Sequence, residues 1–454
     1  MITKNENYTV DIKALSHDFA GIARIDGQVV FVPFAIPQEK CNIKIVKTQK
    51  SMAFGKLINV IEPSDKRATP FCPIFYKCGG CSCQHMRYEA SLEHKRQIVK
   101  DALNKIAGID IPVLDTVRAD NPLNYRNKTS MPVGLNDSKP VAGFFYPRSH
   151  RIVPVESCPI AKPEADTINR VVLEWMDKFN IAPYQEESHT GLIRHIVSRV
   201  NSKGESMCIL VSRSTKIPHI DELIKLLKES LPSIVSVVIN LQSERGNRIL
   251  GDSGRIVYGE NHIKEKLCGL EFFISPLSFF QINTAQAEKL YNTALELAGD
   301  LSKKEVLDLY CGSGTISLAA AKKARFVRGI EIVPEAIEYA KVNQIHNGIE
   351  NAEFFAGQVE KLLPKWVKDG YKADVVILDP PRKGAEKSAL QAIAQTGAQK
   401  IIYVSCNPAT QARDIKTLQE YGYNAIKAVP VDMFCYTSGV ESVVLLSKLG
   451  VGSI

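Results

Sequence analysis

Residues 1 to about 63 alternate apolar and polar positions in short runs separated by glycines: Tyr8–Ile12, Gly21–Ile25, Val29–Pro33 and Cys41–Val46. A period of two predicts strands, and several short strands at even spacing predict a small β-barrel. Over Tyr88–Ile106 the apolar positions lengthen to helical spacing. The pattern is then mixed to about residue 262, with strand-like runs such as Ile193–Val200 and Ile234–Ile239. From about 270 onward apolar runs at Val306–Leu309, Phe326–Glu331, Asp374–Leu378, Lys400–Ser405 and Ser442–Leu446 follow one another, the first four separated by helical segments. That alternation predicts an α/β fold built on a doubly wound parallel sheet.

A chain of 454 residues is longer than one ordinary domain. The changes of pattern divide it into 1–63, 64–262 and 263–454. Hydrophobic residues make up 45% and charged ones 23%, which excludes a mainly disordered chain. Subtracting 49 acidic from 57 basic side chains leaves +8, a balance that invites a polyanionic partner. Lys44, Lys47 and Lys50 read either as a phosphate-contacting edge or as a solvated strand face. Further basic side chains follow at Arg126, Lys128, Arg148, His150, Arg151 and Arg194. No apolar run approaches the ~20 residues of a membrane span, and the opening Met1–Glu6 lacks the apolar segment of an export signal. The expectation is a cytoplasmic protein without a membrane partner.

Eleven cysteines in such a chain are expected to serve as thiols, metal ligands or catalysts rather than disulfides. Cys41, Cys208 and Cys268 stand singly in apolar surroundings, as small hydrophobes do. Cys72, Cys78, Cys81 and Cys83 are clustered, and Gly79-Gly80 lets the backbone turn tightly enough to bring two sulfurs to one side. The fourth ligand of a metal centre could be Cys83, His85 or the distant Cys158. Four thiolates suit zinc or an iron–sulfur cluster, and spacing alone does not choose.

In the last segment, the strand Val306–Leu309 runs into Tyr310-Cys311-Gly312-Ser313-Gly314-Thr315 and then a helix, Ile316–Lys323. The turn lacks the Gly-Lys-Ser/Thr ending of a phosphate loop and the third glycine of a dinucleotide site. Glu331 ends the next strand, where a carboxylate can accept hydrogen bonds from the ribose hydroxyls of an adenosine. Together these features predict an S-adenosylmethionine site.

Two motifs follow later strands: Asp379-Pro380-Pro381-Arg382-Lys383-Gly384, and Ser405-Cys406-Asn407-Pro408. In an open α/β sheet the carboxyl ends of the strands face the ligand crevice. An amino-group methyltransferase would want an aromatic residue where Arg382 stands. A cysteine suits instead a pyrimidine, whose carbon 5 is a poor nucleophile until a thiolate has added at carbon 6. A base must then remove the carbon-5 proton, and Glu441, just before an apolar strand, is the candidate. The bland alternatives are Cys406 as a small core residue and Glu441 as a surface acid.

With these residues in view, the chain resembles the RNA uracil-5-methyltransferases, in particular the 23S ribosomal RNA branch that carries an iron–sulfur cluster and an N-terminal TRAM domain. The resemblance rests on Asp18–Gly27, Phe31-Val32-Pro33, Cys78-Gly-Gly-Cys81 with Gln84-His85, Ser275–Thr284, Asp308–Gly314, Asp379–Gly384 and Ser405–Pro408, in that order over nearly the whole length. It implies that Cys72, Cys78, Cys81 and Cys158 ligate a [4Fe-4S] cluster. It also implies that Gln281, Tyr310, Glu331 and Asp379, with Gly312 and Gly314 of the turn, contact the cofactor, that Cys406 is the nucleophile and that Glu441 accepts the proton. The implied architecture is an OB-like RNA-binding barrel, a central α+β iron–sulfur domain and a Rossmann-like methyltransferase domain. The helix at about 88–110 is expected to pack on the last of these. The implied product is 5-methyluridine in 23S ribosomal RNA, made by a monomer with no obligate protein partner.

Two positions depart from the family pattern: Cys435 replaces a proline after Met-Phe, and Gly439 replaces a histidine two residues before the glutamate. The competing readings are a tRNA enzyme, a cytosine-5 enzyme, or an inert cluster-bearing RNA-binding protein. The tRNA branch normally lacks both the cysteine cluster and the barrel, which weighs against it. The target base must be flipped out of its stack. Phe279 and Phe280 are candidates to lean on it, with core packing as the alternative.

Overall fold

Strand Lys40–Thr48 buries Cys41, Ile43 and Ile45 and points the residues between them outward, the period of two that makes a one-sided sheet. In the computed structural model, which describes residues 2–147 and 149–449, this strand belongs to a six-stranded sheet. Its spatial order is Asn7–Asp11, Lys40–Thr48, Met52–Glu62, Gln28–Val32, Gly21–Ile25 and Ala14–Leu15. The sheet encloses a core that includes Val10, Ile12, Ala23, Val30, Val32 and Ile43. Lys44, Lys47 and Lys50 are exposed on its outside. Arg148 lies outside the described residues.

The middle of the chain forms a seven-stranded sheet in the order Ser253–Gly259, Ile234–Leu241, Ser206–Ser212, Ile193–Val200, Lys128–Asn136, Lys139–Phe145 and Ile152–Pro154. Helices Pro163–Lys178 and Ile220–Ser230 share a core with Met131, Val133, Ile196, Cys208 and Leu210 on one face. Val197, Met207, Ile209 and Val211 of the other face join the core of the last segment. Central strands buried on both faces read as continuous apolar runs, which is why this region lacked clean alternation.

The last segment holds a second seven-stranded sheet, ordered Ala352–Ala356, Phe326–Glu331, Glu305–Leu309, Val375–Leu378, Lys400–Ser405, Glu441–Lys448 and Tyr423–Val431. The first five strands are parallel. At one edge the parallel order ends, because Glu441–Lys448 runs antiparallel to both its neighbours. The link from Val431 to Glu441 is a loop too short for a parallel crossover, so the chain returns as a hairpin. The strands Ala352–Ala356 and Tyr423–Val431 were not among those expected.

Helix Tyr88–Ala102 continues through a π-turn, Leu103–Ala107, and stops at Gly108, whose φ is 70°. Its Val99, Leu103 and Ala107 pack with Ala389, Ala412 and Ile415 of the last segment. Among the described residues no helix is long and apolar enough to cross a membrane.

Candidate active site

Strand Lys400–Ser405 pairs with Glu441–Lys448 so that Ser405 stands opposite Ser442. One step along the same register puts Cys406 opposite Glu441, and backbone pairing alone thus makes neighbours of a thiol and a carboxyl distant in sequence. Asn407 caps the helix Pro408–Glu420, accepting from the Ala409 N–H at 3.1 Å, with Pro408 in the first turn. Cys406 thereby sits just ahead of a helix N-terminus, whose dipole favours a thiolate. Asn407 Nδ2 and Thr410 Oγ1 donate to the Arg382 carbonyl at 3.0 and 3.2 Å, tying the two motif loops together.

The electrostatics at these strand ends oppose one another. Burial pushes the Cys406 thiol up, the charges of Glu441 and Asp379 add to that, and the Arg382 guanidinium pulls it down. Glu441 is 4% exposed. Burial first and Asp379 second hold its carboxyl above the ordinary carboxylate range, while Arg382 again opposes. Burial also raises Asp379. Arg382 stood out in the sequence only for not being aromatic. Its signal was a cation directly after two prolines at a strand's carboxyl end, where an opposite charge can tune a thiol.

The glycine turn is closed by Glu331, whose carboxylate accepts from the Gly312 N–H at 3.1 Å and the Val333 N–H at 2.9 Å. Each oxygen keeps a lone pair for a further donor. Gly314 starts the helix Thr315–Ala321 with a φ of 79°, and a Cβ there would stand 2.9 Å from the Phe354 ring. Nothing lies within 4 Å of the corresponding point at Gly312, which leaves that side of the turn open. Tyr310 donates to Glu360 at 2.8 Å. Asp308, buried and accepting from Ser317 Oγ, is pushed up to about 7, chiefly by burial. Asp379 extends the neighbouring strand, its N–H donating to the Leu309 carbonyl at 3.3 Å. Gln281 arrives from the other side, on the loop before helix Thr284–Ala298, and its carbonyl accepts from Asn127 Nδ2 at 2.8 Å.

Cys406 opens onto a cleft of about 1110 Å³. Arg382 and Asn407 line it beside the thiol, His94 and Gln97 come from helix Tyr88–Ala102, and Leu15, His17 and Gln38 face them from the barrel. Phe280 is 5% exposed in the core, whereas Phe279 is 74% exposed, so only Phe279 is free to meet a ligand.

Cys72, Cys78, Cys81 and Cys158 line one cavity of about 310 Å³. The other two sequence candidates lie elsewhere. Cys83 packs with Phe19 and Met86, and His85 is fully buried beside Phe34 and Phe75. The Gly80 N–H donates to Cys78 Sγ at 3.3 Å. Burial raises the Cys78, Cys81 and Cys158 thiols, and Arg126 opposes it in all three. The four thiols surround a space rather than converge on a point: among the described residues no three His, Cys, Asp or Glu side chains form a group that could hold a metal ion.

A mainly parallel sheet with this strand order, a glycine turn clasped by an acid and a thiol at the crevice together define a methyltransferase dependent on S-adenosylmethionine. Its relatives place it more closely. Residues 87–449 match the family model for tRNA (uracil-5-)-methyltransferase, and residues 3–58 match the TRAM domain. The chain belongs to this RNA uracil-5-methyltransferase family. It is 44% identical to an RNA methyltransferase of Clostridium tetani, over 99% of this chain and 98% of that protein. It is 42% identical to one of Halalkalibacterium halodurans, over 98% of each. Its fold is similar to that of the Pyrococcus abyssi tRNA (uracil-54, C5)-methyltransferase in complex with S-adenosyl-L-homocysteine, with a TM-score of 0.79 and 26% identity over 96% of this chain and 99% of that one. A match that long leaves too few residues outside it to omit the barrel. The match to that one enzyme therefore takes in the barrel residues as well.

Proposed function

We propose that the protein methylates carbon 5 of a uridine in 23S ribosomal RNA through a covalent bond between Cys406 and carbon 6. The observation that carries this reading is the pairing of Ser405 with Ser442, which sets Cys406, the next residue, beside a buried Glu441 whose charge acts on its thiol, in a chain of this family. The Cys406 thiolate, formed as its proton leaves to solvent, adds to carbon 6. The carbon 5–carbon 6 double bond opens, and an enolate forms on the ring. S-adenosylmethionine, when bound, supplies a methyl group on a positively charged sulfur for carbon 5 to attack. Glu441 then takes the carbon-5 proton, the double bond re-forms and the thiolate leaves. Arg382 opposes the burial that would otherwise keep Cys406 protonated. Glu331, Gly312, Gly314, Tyr310, Gln281 and Asp379 hold and orient the cofactor in this reading.

Four thiols on one cavity, an N–H aimed at one of them and a guanidinium that offsets the charge of Cys78, Cys81 and Cys158 suit a [4Fe-4S] cluster. Cys72, Cys78, Cys81 and Cys158 would hold it. Its contribution would be to cross-link the loop around Cys72–Cys81 to Cys158, because methyl transfer consumes no electrons. The enzyme is proposed to work as a cytoplasmic monomer.

The choice of ribosomal RNA rests on the motif set shared with that branch. The similarity to the P. abyssi enzyme favours tRNA as a second reading. One experiment separates them: incubation with labelled methyl donor and unmodified 23S ribosomal RNA or tRNA, followed by nuclease digestion and mass spectrometry. Label in 5-methyluridine from the ribosomal substrate alone is the expected result. Label from tRNA alone transfers the assignment to the second reading, and label in neither, or in 5-methylcytidine, rejects both.

A further inference from the structure

The loop Asp432–Val440 joins strand Tyr423–Val431 to strand Glu441–Lys448, and Val431 pairs with Glu441. Asp432 therefore stands at one mouth of the loop and Glu441 at the other. Asp432 forms an ion pair with Lys95 of helix Tyr88–Ala102, and both side chains are 0% exposed. Tyr88 of the same helix donates to the second Asp432 oxygen at 2.6 Å. Lys95 also donates to the Phe434 carbonyl at 3.0 Å. The loop's backbone is held on its other sides: the Asp432 N–H donates to Val117 at 3.0 Å, Gln286 Nε2 donates to the Asp432 carbonyl at 3.1 Å, and Asn283 Nδ2 donates to that of Met433 at 3.2 Å. Tyr436, in the left-handed region with a φ of 61°, has its carbonyl taken by the Ser82 N–H at 2.8 Å.

A buried ion pair gains little over two apolar side chains of the same size, since desolvating both charges offsets their attraction. What it adds is direction: a carboxylate that must meet an ammonium and a phenol at once has one orientation. We propose that Lys95 and Asp432, with Tyr88, are positioning residues that aim Glu441 at the carbon-5 proton. The assignment rests on the reading of Glu441 as the proton acceptor. It gives the early helix a task in the reaction, since that helix supplies Lys95 and Tyr88 to the two Asp432 carboxylate oxygens.

The test exploits the order of the steps. A misaimed base leaves addition and methyl transfer in place and slows only proton removal, so the enzyme stays bonded to methylated RNA. Lys95→Met/Asp432→Leu replaces the pair by apolar side chains and is expected to fold. Release of product should slow by about 10–10²-fold, with an RNA–protein band persisting on a denaturing gel, as is also expected of Glu441→Gln. Tyr88→Phe, which removes a single hydroxyl, should trap the same band more weakly, and it carries the test if the double variant does not fold. A folded variant with wild-type release overturns the proposal, as does one that is slower without any trapped band, the mark of a general structural loss. If Glu441→Gln itself traps no band, the reading of Glu441 falls and this proposal with it.

Discussion

Asp379 sits close enough to Glu441 that its charge adds to burial in holding the Glu441 carboxyl above the ordinary carboxylate range. A base works only when deprotonated, so turnover should rise with pH through that raised range rather than level off near pH ~4.3, where a free glutamate titrates. Asp379→Asn removes the like charge and should move the rising limb to lower pH, even though a weaker hold on the cofactor lowers the maximum. A kcat profile of both enzymes checks this, and an unmoved limb refutes the coupling.

Replacing Glu441 with Gln removes the proposed proton acceptor while keeping its shape. Turnover should fall by roughly 10²–10⁴-fold, the usual worth of a positioned general base. RNA should still bind and, in the presence of the methyl donor, accumulate as the covalent species. Cys406→Ala should abolish turnover and also the covalent species, which separates the two roles on one denaturing gel.

Asp308 is a buried acid pushed up to about 7 without a cationic partner among its causes. For an acid with a folded pKa above its unfolded one, the native state binds the extra proton, and stability declines as pH rises toward 7, staying low beyond it. Asp308→Asn should therefore raise the thermal midpoint more at pH 8 than at pH 5. Equal shifts at the two pH values would show that the carboxyl is not protonated in the native state.

Gly314→Ala forces a side chain onto a left-handed residue and against the Phe354 ring. The expected cost is about 1–3 kcal/mol of stability, with a weaker affinity for S-adenosylhomocysteine measured by calorimetry. Full retention of both would mean that the turn relaxes without consequence.

RNA affinity should fall steeply as salt rises, because lysines and arginines that contact phosphate release counterions. A filter-binding series from low to high salt measures the slope. A flat series would place recognition on apolar contacts instead.

Local motifs made several parts legible. The glycine turn and Glu331, which the structure brings together, sit in short runs along the chain, and the barrel showed in its period of two. The edge of the last sheet was not legible, since an apolar run does not state which way its strand points. Nor was it legible which of Cys83, His85 and Cys158 shares a cavity with Cys72, Cys78 and Cys81. Spacing made all three available, and only packing sends Cys83 toward Phe19 and Met86 and buries His85 between phenylalanines. Phe279 and Phe280 were equivalent in sequence until one entered the core.

By itself the sequence determined which chemistry was possible, since a thiol, a carboxyl and a glycine turn are properties of residue types and neighbours along the chain. The tertiary structure alone decided which of these groups meet. The register that sets Cys406 against Glu441 and the buried pair of Lys95 with Asp432, 337 residues apart, depend on where the chain returns after long excursions. That return is governed by the packing of whole faces, whose energy is spread over many side chains and written in no single motif.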